Sequence, residues 1–448
     1  MPVALIALAA FIAVIIVWNV GFKRNMGEAM FLGLVATALF AGADAPQVVG
    51  QAAQAALTHD VLYAALAFVF MAYLIDEAGL IHRILDILNS ALGRLRGGPA
   101  YIDTAGSAVF GALSGSNSAN TASSGSFTGP WMVRTGWTPT RAATVLAGNG
   151  GMGAALPPSA SMVIMIGFAG SLVTTGEIYL ALLCAGLYQV VLRVALVTYF
   201  VRRDRIPRID AQELKPLRTT FRAGAGALTI FIGAVIPIVV TVGPLADYLT
   251  DSTPVGDAMG SISLLTWIPT LIIGFALLAG RRTLPRTAAG WSRLLDGALP
   301  RFATIGALLF FAITASEILG RLGLAEDVDG VIEALPVNQV VMVVVVGLLV
   351  TLVAGPLSST ATLTAVGQVS LFALIGTGVD PVLAVIAILI FASTEGASPP
   401  ASGSIFVAAG LTGARPESTF VPLIVYYMLP IFAIGCLVGW GVLPVIGG

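Results

Sequence analysis

The chain interrupts its apolar sequence twice in each half, and in the same order. A Gly/Ser/Thr-rich break is followed by a Pro-Pro break, at residues 110–126 and 146–165 in the first half and at 352–367 and 391–407 in the second. Proline removes a helix hydrogen bond and clashes with the preceding turn, so a Pro-Pro segment does not continue a regular helix. Paired interruptions at matching places in two halves are typical of the binding site of a secondary transporter.

The composition is typical of a membrane protein. Of the 448 residues, 57% are hydrophobic and 10% are charged, whereas soluble proteins carry about 25% charged residues. Apolar stretches of membrane-spanning length recur from end to end, which predicts an all-α, polytopic membrane protein. The net charge of −1 does not indicate nucleic-acid binding, and the two cysteines and two histidines lack metal-ligand spacing. We therefore expect neither a metal centre nor an organic cofactor.

Ten segments are predicted to cross the membrane. They are residues 2–20, 27–43, 60–76, 140–172, 177–200, 223–243, 261–280, 302–318, 380–410 and 418–443. Two of these segments are overlong because they contain the helix breaks Pro157-Pro158 and Pro399-Pro400. Each is therefore predicted to be a broken helix, with an unwound joint between two half-helices.

Two further apolar stretches are predicted to form re-entrant helical hairpins. Residues 101–115 would give a helix of about 22 Å at ~1.5 Å per residue, which is too short for a ~30 Å hydrocarbon core. The chain then turns through a polar segment and returns to Arg134, so the first hairpin covers about 101–133. The second hairpin covers about 338–376 and turns at Gly355-Pro356.

The basic loops all fall on one side of this topology, which the positive-inside rule makes cytoplasmic. Both termini are then extracytoplasmic. The first hairpin enters from the cytoplasm and the second from the opposite face, so the two repeats are predicted to be inverted. The predicted division is N-terminal scaffold spans (1–59), a first inverted repeat (60–200), connecting scaffold spans (201–301) and a second inverted repeat (302–448).

The breaks carry the chemistry that an organic anion and its coupling ion require. Helix N-termini present N–H donors that suit a carboxylate, and neutral hydroxyl, amide and carbonyl oxygens suit Na⁺. The predicted substrate-binding residues are Ser116, Ser118, Asn120, Ser359, Thr360 and Ser398. The predicted sodium- or ion-binding residues are Ser114, Asn117, Asn149, Gly150, Gly151, Gly355, Ser358, Thr394, Glu395 and Gly396. The alternative is that these small residues only permit close helix packing.

Charged residues near the breaks leave alternatives open. Glu395 could bind Na⁺, carry a proton or pair with an arginine, or it could simply face an aqueous vestibule. Arg193 and Arg321 could be anion partners, but we expect their side chains to snorkel towards the membrane surface. Residues 79–97 have apolar residues at helical spacing, which predicts an amphipathic surface helix that is either a connecting arm or a plain connector.

Several motifs resemble the large membrane subunit of tripartite ATP-independent periplasmic (TRAP) transporters. They are the run from GLIHRILDILNSALG to TGPWMVRTGW, which contains SGSNSANTASSG, and the two Pro-Pro segments AALPPSASMVIMIG and SPPASGSIFVAAGL. The resemblance covers about residues 60–443, and SGSFTGPWMVRTGW is similar to the TAXI branch of the family.

This resemblance implies import of an organic acid by sodium-coupled symport across the bacterial or archaeal cytoplasmic (inner) membrane. It implies an elevator motion and two partners, a small membrane subunit of about four helices and an extracytoplasmic solute-binding protein. One departure from the family pattern is Ser398, which precedes the second Pro-Pro pair where threonine is common, with Glu395 three residues earlier. A second is that the sequence shows no fused small-subunit region, so we expect that subunit to be a separate chain or not to be required. A stand-alone proton- or ion-coupled anion exchanger is therefore the alternative. An enzyme is disfavoured because the serines have no general base near them in the sequence.

Overall fold

The computed structural model describes residues 3–208, 216–241, 245–246, 248–249, 263–324, 326–327, 330, 337–400 and 402–447. Every regular element within these ranges is helical, which confirms the predicted all-α fold. Among the described helices, six are long and apolar enough to cross a membrane, or seven if one bent pair is a single span. The chain therefore has the build of a polytopic membrane protein.

The N-terminal part contains four helices. They are α1 (Val3–Ile16), α2 (Met26–Leu39), α3 (Ala45–Leu57) and α4 (Asp60–Glu77). Asn25 begins α2 by accepting a hydrogen bond from the Gly27 amide, and His59 begins α4 in the same way. Helix α3 was not predicted, because its Gln and Ala residues do not form a span-length apolar run. It meets α4 at a bend of 49°.

The next part contains the first hairpin and the first broken helix. Its helices are α5 (Leu80–Leu92), α6 (Gly98–Ser114), α7 (Asn117–Arg134), α8 (Pro139–Gly150), α9 (Met152–Ala155), α10 (Ala160–Ala169) and α11 (Thr175–Arg203). The predicted hairpin is α6–α7, and the predicted broken helix is α8–α10. Helix α5 is amphipathic, as predicted, and buries Leu80, Ile84 and Leu85 against the protein.

Within the described residues, four α-helices with defined bounds connect the two halves or lead into the second. They are α12 (Leu217–Gly224), α13 (Ile230–Thr241), α14 (Leu264–Gly280) and α15 (Ala288–Arg321). The predicted span 302–318 is only the second part of α15, which is about 51 Å long at ~1.5 Å per residue. The predicted span starts too late, because the helix begins at Ala288 and continues through Pro300.

The last part repeats the hairpin and the broken helix. Its helices are α16 (Gln339–Ala354), α17 (Ser359–Gly376), α18 (Pro381–Ala392), α19 (Gly403–Thr412), α20 (Phe420–Leu423) and α21 (Leu429–Gly439). A 3₁₀ turn, Ser393–Ala397, follows α18 directly. The second predicted hairpin is α16–α17, and the second broken helix is α18–α19. By contrast, the predicted spans 2–20, 27–43 and 261–280 correspond to apolar helices of 10–17 residues.

The two halves exchange packing partners. The second half-helix of the first broken helix, α10, packs on α17 of the second hairpin. The second half-helix of the second broken helix, α19, packs on α7 of the first hairpin and on α8. Helix α15 runs along α2, α3 and α4, and α4 in turn contacts α10. The hairpins and broken helices therefore form one packed body beside a layer made by α2, α3, α4, α14 and α15.

Candidate functional site

Each hairpin turns at a glycine or proline and restarts at a serine. Gly115 ends α6 with a left-handed φ of +63°, a backbone conformation that glycine adopts without steric cost. The Ser116 side chain then accepts a hydrogen bond from the Ala119 amide at 3.5 Å and begins α7. In the second hairpin, the Ser358 hydroxyl accepts from the Ala361 amide at 3.3 Å and begins α17.

The two joints of the broken helices also restart at serines. Both Pro-Pro peptide bonds, Pro157-Pro158 and Pro399-Pro400, are cis. The Ser159 hydroxyl then accepts a hydrogen bond from the Met162 amide at 3.2 Å and begins α10, and Ser402 lies immediately before α19. Two hairpin tips and two joints thus place four helix N-termini in one region, where their N–H groups favour an anion.

The joints of the two halves touch through their backbones. A Cβ atom added to Gly151 would lie 2.4 Å from the Ser393 carbonyl oxygen, and one added to Gly396 would lie 2.7 Å from the Gly151 nitrogen. No side chain fits at either position without displacing backbone. Gly151, predicted from the sequence as an ion-binding residue, therefore lies at the contact between the joints, whereas Gly150, predicted with it, packs against Asn117 and Thr121 of α7.

Arg193 links the two joints from inside the protein. Its side chain is fully buried and donates hydrogen bonds to the Gly148 carbonyl at 3.1 Å and to Gln189 Oε1 at 2.9 Å. The Ser393 hydroxyl donates to the same Gln189 oxygen at 3.3 Å. The prediction that Arg193 snorkels was wrong, because α11 turns this side chain towards the carbonyl end of α8 instead of towards the membrane surface.

A buried carboxylate that sequence reasoning missed anchors the first hairpin. Asp103 on α6 is fully buried. Its Oδ1 accepts hydrogen bonds from the hydroxyls of Ser124 at 2.9 Å and Thr128 at 2.8 Å, and its Oδ2 accepts from Asn149 Nδ2 at 2.8 Å. An ionisable residue within an apolar helix is the signal that could have identified it.

Three buried amides surround the first joint, and we call Asn117, Asn120 and Asn149 the amide cluster. Asn120 Nδ2 donates to the carbonyls of Ser107 at 3.0 Å and Gly150 at 3.1 Å. The Oδ1 atoms of all three asparagines are buried without a hydrogen-bond partner. Buried amide oxygens normally have a partner, so three unpaired acceptors on touching segments could coordinate a cation.

Glu395 lies at the second joint and is almost completely enclosed, with 4% of its surface exposed. Its Oε1 accepts a hydrogen bond from the Ser402 hydroxyl at 3.3 Å, and the Asn117 amide lies beside it. The neighbouring hydroxyls of Thr394 and Ser398 donate to backbone carbonyls, at 2.6 and 2.8 Å. Their oxygen lone pairs remain able to accept or to coordinate.

A cavity of about 630 Å³ separates the hairpin tips from α4 and α15. Its polar lining consists of Asp76, Ser116, Ser123, Arg301, Thr304 and Thr360. The N-termini of α7, α10 and α17 reach its wall at Ser116, Ala160 and Thr360. Arg301 lines the same cavity from α15, and its guanidinium lies 4.8 Å from the centre of the Tyr73 ring. Sequence reasoning gave Arg301 no binding role, because residue 301 falls in the predicted connecting spans.

The predicted substrate residues divide between this cavity and the interior. Ser116 and Thr360 line the cavity. Asn120, Ser359 and Ser398 are buried away from it, and the Ser118 Cβ lies 3.3 Å from the position of a Cβ on Gly403 in α19. Of the predicted ion residues, Asn117, Asn149, Thr394, Glu395 and Gly396 are buried around the joints, Gly355 is buried at the second tip and Ser358 is exposed there. The side chain of Ser114 lies outside the described residues.

A smaller pocket of about 70 Å³ lies between the same elements at the other end of α4. Its lining includes His59, Glu317 and Gln368, and Ser316 hydrogen-bonds to Gln368. Helices α4 and α15 thus carry one acid and one base at each end of the interface: Asp76 with Arg301 at one end, and Glu317 with His59 at the other.

The fold is that of a polytopic membrane transporter. It is similar to the solved structure of the Alcanivorax borkumensis YdaH transporter, with a TM-score of 0.66 and 17% identity over 89% of each chain. It is also similar to Neisseria gonorrhoeae MtrF, with a TM-score of 0.64 and 13% identity over 91% of this chain and 87% of that one. At this level of identity the comparison shows a shared fold alone.

The sequence places the chain in a particular family within this class. Residues 5–446 match the family described as the tripartite ATP-independent periplasmic transporter, DctM component. The chain belongs to this family, as the motifs predicted, and it is therefore a multi-pass membrane transporter protein and not an enzyme.

Curated relatives agree with this assignment. The C4-dicarboxylate TRAP transporter large permease protein DctM of Rhodobacter capsulatus is 24% identical, over 77% of both chains. The isethionate TRAP transporter permease protein DctMQ of Oleidesulfovibrio alaskensis is 23% identical over 92% of this chain, which spans 61% of that relative. The match to the Pseudomonas aeruginosa DctM protein, at 26% identity, spans 39% of this chain and 40% of the relative.

Proposed function

We propose that this chain is the large permease subunit through which an organic acid is imported across the inner membrane by sodium symport. The cavity carries the proposal, because Arg301 and three helix N-termini line it together. A guanidinium and several backbone N–H groups are the donors that bind carboxylate or sulfonate oxygens. Two of the relatives are named as a C4-dicarboxylate and an isethionate transporter, and both substrates carry such groups.

Sodium is proposed as the coupling ion because of the oxygens around the joints. The amide cluster offers three buried acceptor oxygens without a partner, and the helix ends at the joints offer carbonyls. Neutral oxygens of this kind coordinate Na⁺ without burying a second charge. The enclosed carboxylate of Glu395 favours the alternative, a proton-coupled anion exchanger of similar architecture, because a buried acid can carry a proton.

An elevator motion is proposed from the same packing. The hairpins and broken helices form one body, and the two acid–base pockets lie at opposite ends of its contact with α4 and α15. Sliding of the body between them would expose the substrate site first to one side of the membrane and then to the other.

We propose a small membrane subunit and an extracytoplasmic binding protein as partners of this chain. We also propose that both termini of the chain are extracytoplasmic.

We predict that uptake into proteoliposomes, with these two partners present, requires an inward sodium gradient. The substrate is found by testing labelled succinate, isethionate and other organic acids in turn.

Arg301→Gln should raise the half-saturating substrate concentration about tenfold or more, because a hydrogen bond to a charged group contributes about 1.5–3 kcal/mol. Arg293→Gln, exposed on the same helix and outside the cavity, is the matched control.

Two outcomes would count against these assignments. Uptake that continues unchanged when choline replaces sodium, and that follows a proton gradient, would exclude sodium symport and favour proton coupling. Equal substrate affinities for the Arg301 and Arg293 variants would show that the cavity does not hold the anionic group.

A further inference from the structure

The hydrogen bonds of Asn149 leave its amide only one orientation. The Nδ2 atom lies 2.8 Å from Asp103 Oδ2 and 3.1 Å from Thr104 Oγ1. The Thr104 hydroxyl donates its own hydrogen to the Ala100 carbonyl at 3.0 Å, so Thr104 accepts from Asn149. Both amide hydrogens are therefore used, and they point towards α6.

The Asn149 oxygen consequently faces away from Asp103. It is fully buried and has no hydrogen-bond partner. An amide has a donor side and an acceptor side, and only the acceptor side can bind a cation. The neighbour that determines which side faces the amide cluster is a carboxylate, which normally accepts hydrogen bonds and does not donate them.

Asp103 is itself held rigidly in place. The hydroxyls of Ser124 and Thr128, both on α7, donate to its other oxygen at 2.9 and 2.8 Å. Ser124 also lies 2.9 Å from the Ser107 hydroxyl. One hydrogen-bonded chain thus connects both helices of the first hairpin to the first joint through this carboxylate.

We propose that Asp103 is a positioning residue that turns the oxygen of Asn149 towards the enclosed cation site and thereby sets its affinity for sodium. Asp103 does not touch the cation in this arrangement, and it acts through the amide that it orients. The inference deepens the proposed function, since it rests on the assignment of a sodium site to the amide cluster.

Exchange of donor and acceptor between the two positions tests this inference. In Asp103→Asn the Ser124 and Thr128 hydroxyls continue to donate to the remaining oxygen, so the new NH₂ group faces Asn149. Asn149 relieves this conflict by flipping its amide, which turns its own NH₂ group towards the cation. Asp103→Asn combined with Asn149→Asp restores a donor–acceptor pair between the two positions and again leaves an oxygen facing the site, while the Thr104 hydroxyl, which loses its donor, can turn to donate to the new carboxylate. Because the pair is restored, the double variant tests the inference even if the single variant does not fold.

Sodium binding is measured on the purified complex in detergent, as the rise of its unfolding temperature with NaCl against choline chloride, since a ligand of the native state stabilises it. The wild-type complex has some sodium concentration at which the rise in unfolding temperature is half-maximal. This concentration should be at least tenfold higher in Asp103→Asn. In the double variant it should return to within about threefold of the wild-type concentration, or fall below it because a carboxylate oxygen now faces the cation. Substrate half-saturation at saturating sodium should change less than twofold in Asp103→Asn, because Asp103 does not line the cavity.

The outcomes separate this inference from the proposed function. An unchanged half-maximal sodium concentration in Asp103→Asn, or a folded double variant without recovery, would overturn the positioning role while sodium-driven uptake by the wild type still stood. Sodium stabilisation that follows the predicted pattern in a complex whose uptake ignores sodium would support the positioning role and remove sodium symport. A wild-type complex that sodium neither stabilises nor drives would overturn both.

Discussion

Among the described residues, Asp103, Arg193 and Glu395 are the charged side chains with less than a tenth of their surface exposed. Each contacts a hairpin tip or a joint rather than another charge: Arg193 bonds to the Gly148 carbonyl and Gln189, Asp103 to hydroxyls and an amide, and Glu395 to the Ser402 hydroxyl. With both carboxylates ionised, their formal charges sum to −1, so one bound monovalent cation would neutralise the set. Enclosed charges are costly without such compensation.

The sequence identified these residues unevenly. Glu395 was found because it lies shortly before a Pro-Pro pair, Asn117 because it lies in the polar turn after Gly115, and Asn149 because it precedes Gly150. Asp103 was missed because residues 101–115 were considered only as one apolar stretch and not residue by residue. Arg193 was found, but its direction was predicted wrongly, because the acceptor that orients it belongs to α8 and lies 45 positions away in sequence.

Replacing Arg193 should destabilise the protein more than replacing an exposed arginine on the same helix. Arg193→Ala leaves the Gly148 carbonyl without its side-chain donor, at a cost of about 1–3 kcal/mol for a buried acceptor, and should lower the unfolding temperature in detergent by several degrees. Arg202→Ala, near the exposed end of α11, is the control. Equal unfolding temperatures for the two variants would mean that Arg193 has no structural role at the joints.

At the scale of elements, local sequence signals account for most of what was predicted. Glycine, proline and serine determine where a helix can begin or end, so the described helices are interrupted at the four breaks that the sequence predicts. The errors occurred where such a signal was absent or overridden. Helix α3 carries no long apolar run, and α15 continues through Pro300, whose carbonyl accepts a hydrogen bond from the Thr304 hydroxyl at 2.8 Å.

The contact between the joints predicts a sharp effect of adding one methyl group. Gly151→Ala or Gly396→Ala places a Cβ within 2.4–2.7 Å of backbone atoms of the other joint. Such overpacking costs about 1–3 kcal/mol and should lower both the unfolding temperature and the uptake rate. Gly410→Ala in α19 meets no atom within 4 Å and is the control. Wild-type stability and uptake in all three variants would show that the joints do not pack as described.

At the scale of the molecule, the pairing of the halves was the least predictable feature. The repeat was visible in the sequence, but nothing in it indicates that α19 covers the first hairpin or that α10 covers the second. These contacts depend on the shapes of the helix surfaces. For example, Gly129 on α7 leaves room for Leu411 on α19: a Cβ added to Gly129 would lie 3.5 Å from the Leu411 Cβ. The result is a single body whose parts come from both halves.

Disulfide trapping tests whether this body slides against α4. A Cβ on Gly167 of α10 would lie 3.2 Å from the Val61 Cβ of α4, close to the separation of about 3.5–4.5 Å in a disulfide. Val61→Cys with Gly167→Cys, in a background lacking Cys184 and Cys436, should abolish uptake when oxidised and restore it on reduction. Gly129→Cys with Leu411→Cys links α7 to α19 within the body and should leave uptake intact. Undiminished uptake by both oxidised pairs would exclude sliding at α4.

The exchange of packing partners has a consequence for how the protein is made. The first hairpin, with its buried amides and hydroxyls, leaves the ribosome well before α19, the helix that later covers it. At 5–20 residues per second this delay is on the order of tens of seconds. Throughout that interval the buried polar residues of the hairpin are without their permanent cover. Because uncovered polar groups are costly in an apolar surrounding, we expect the nascent first half to need temporary shelter until the second half arrives.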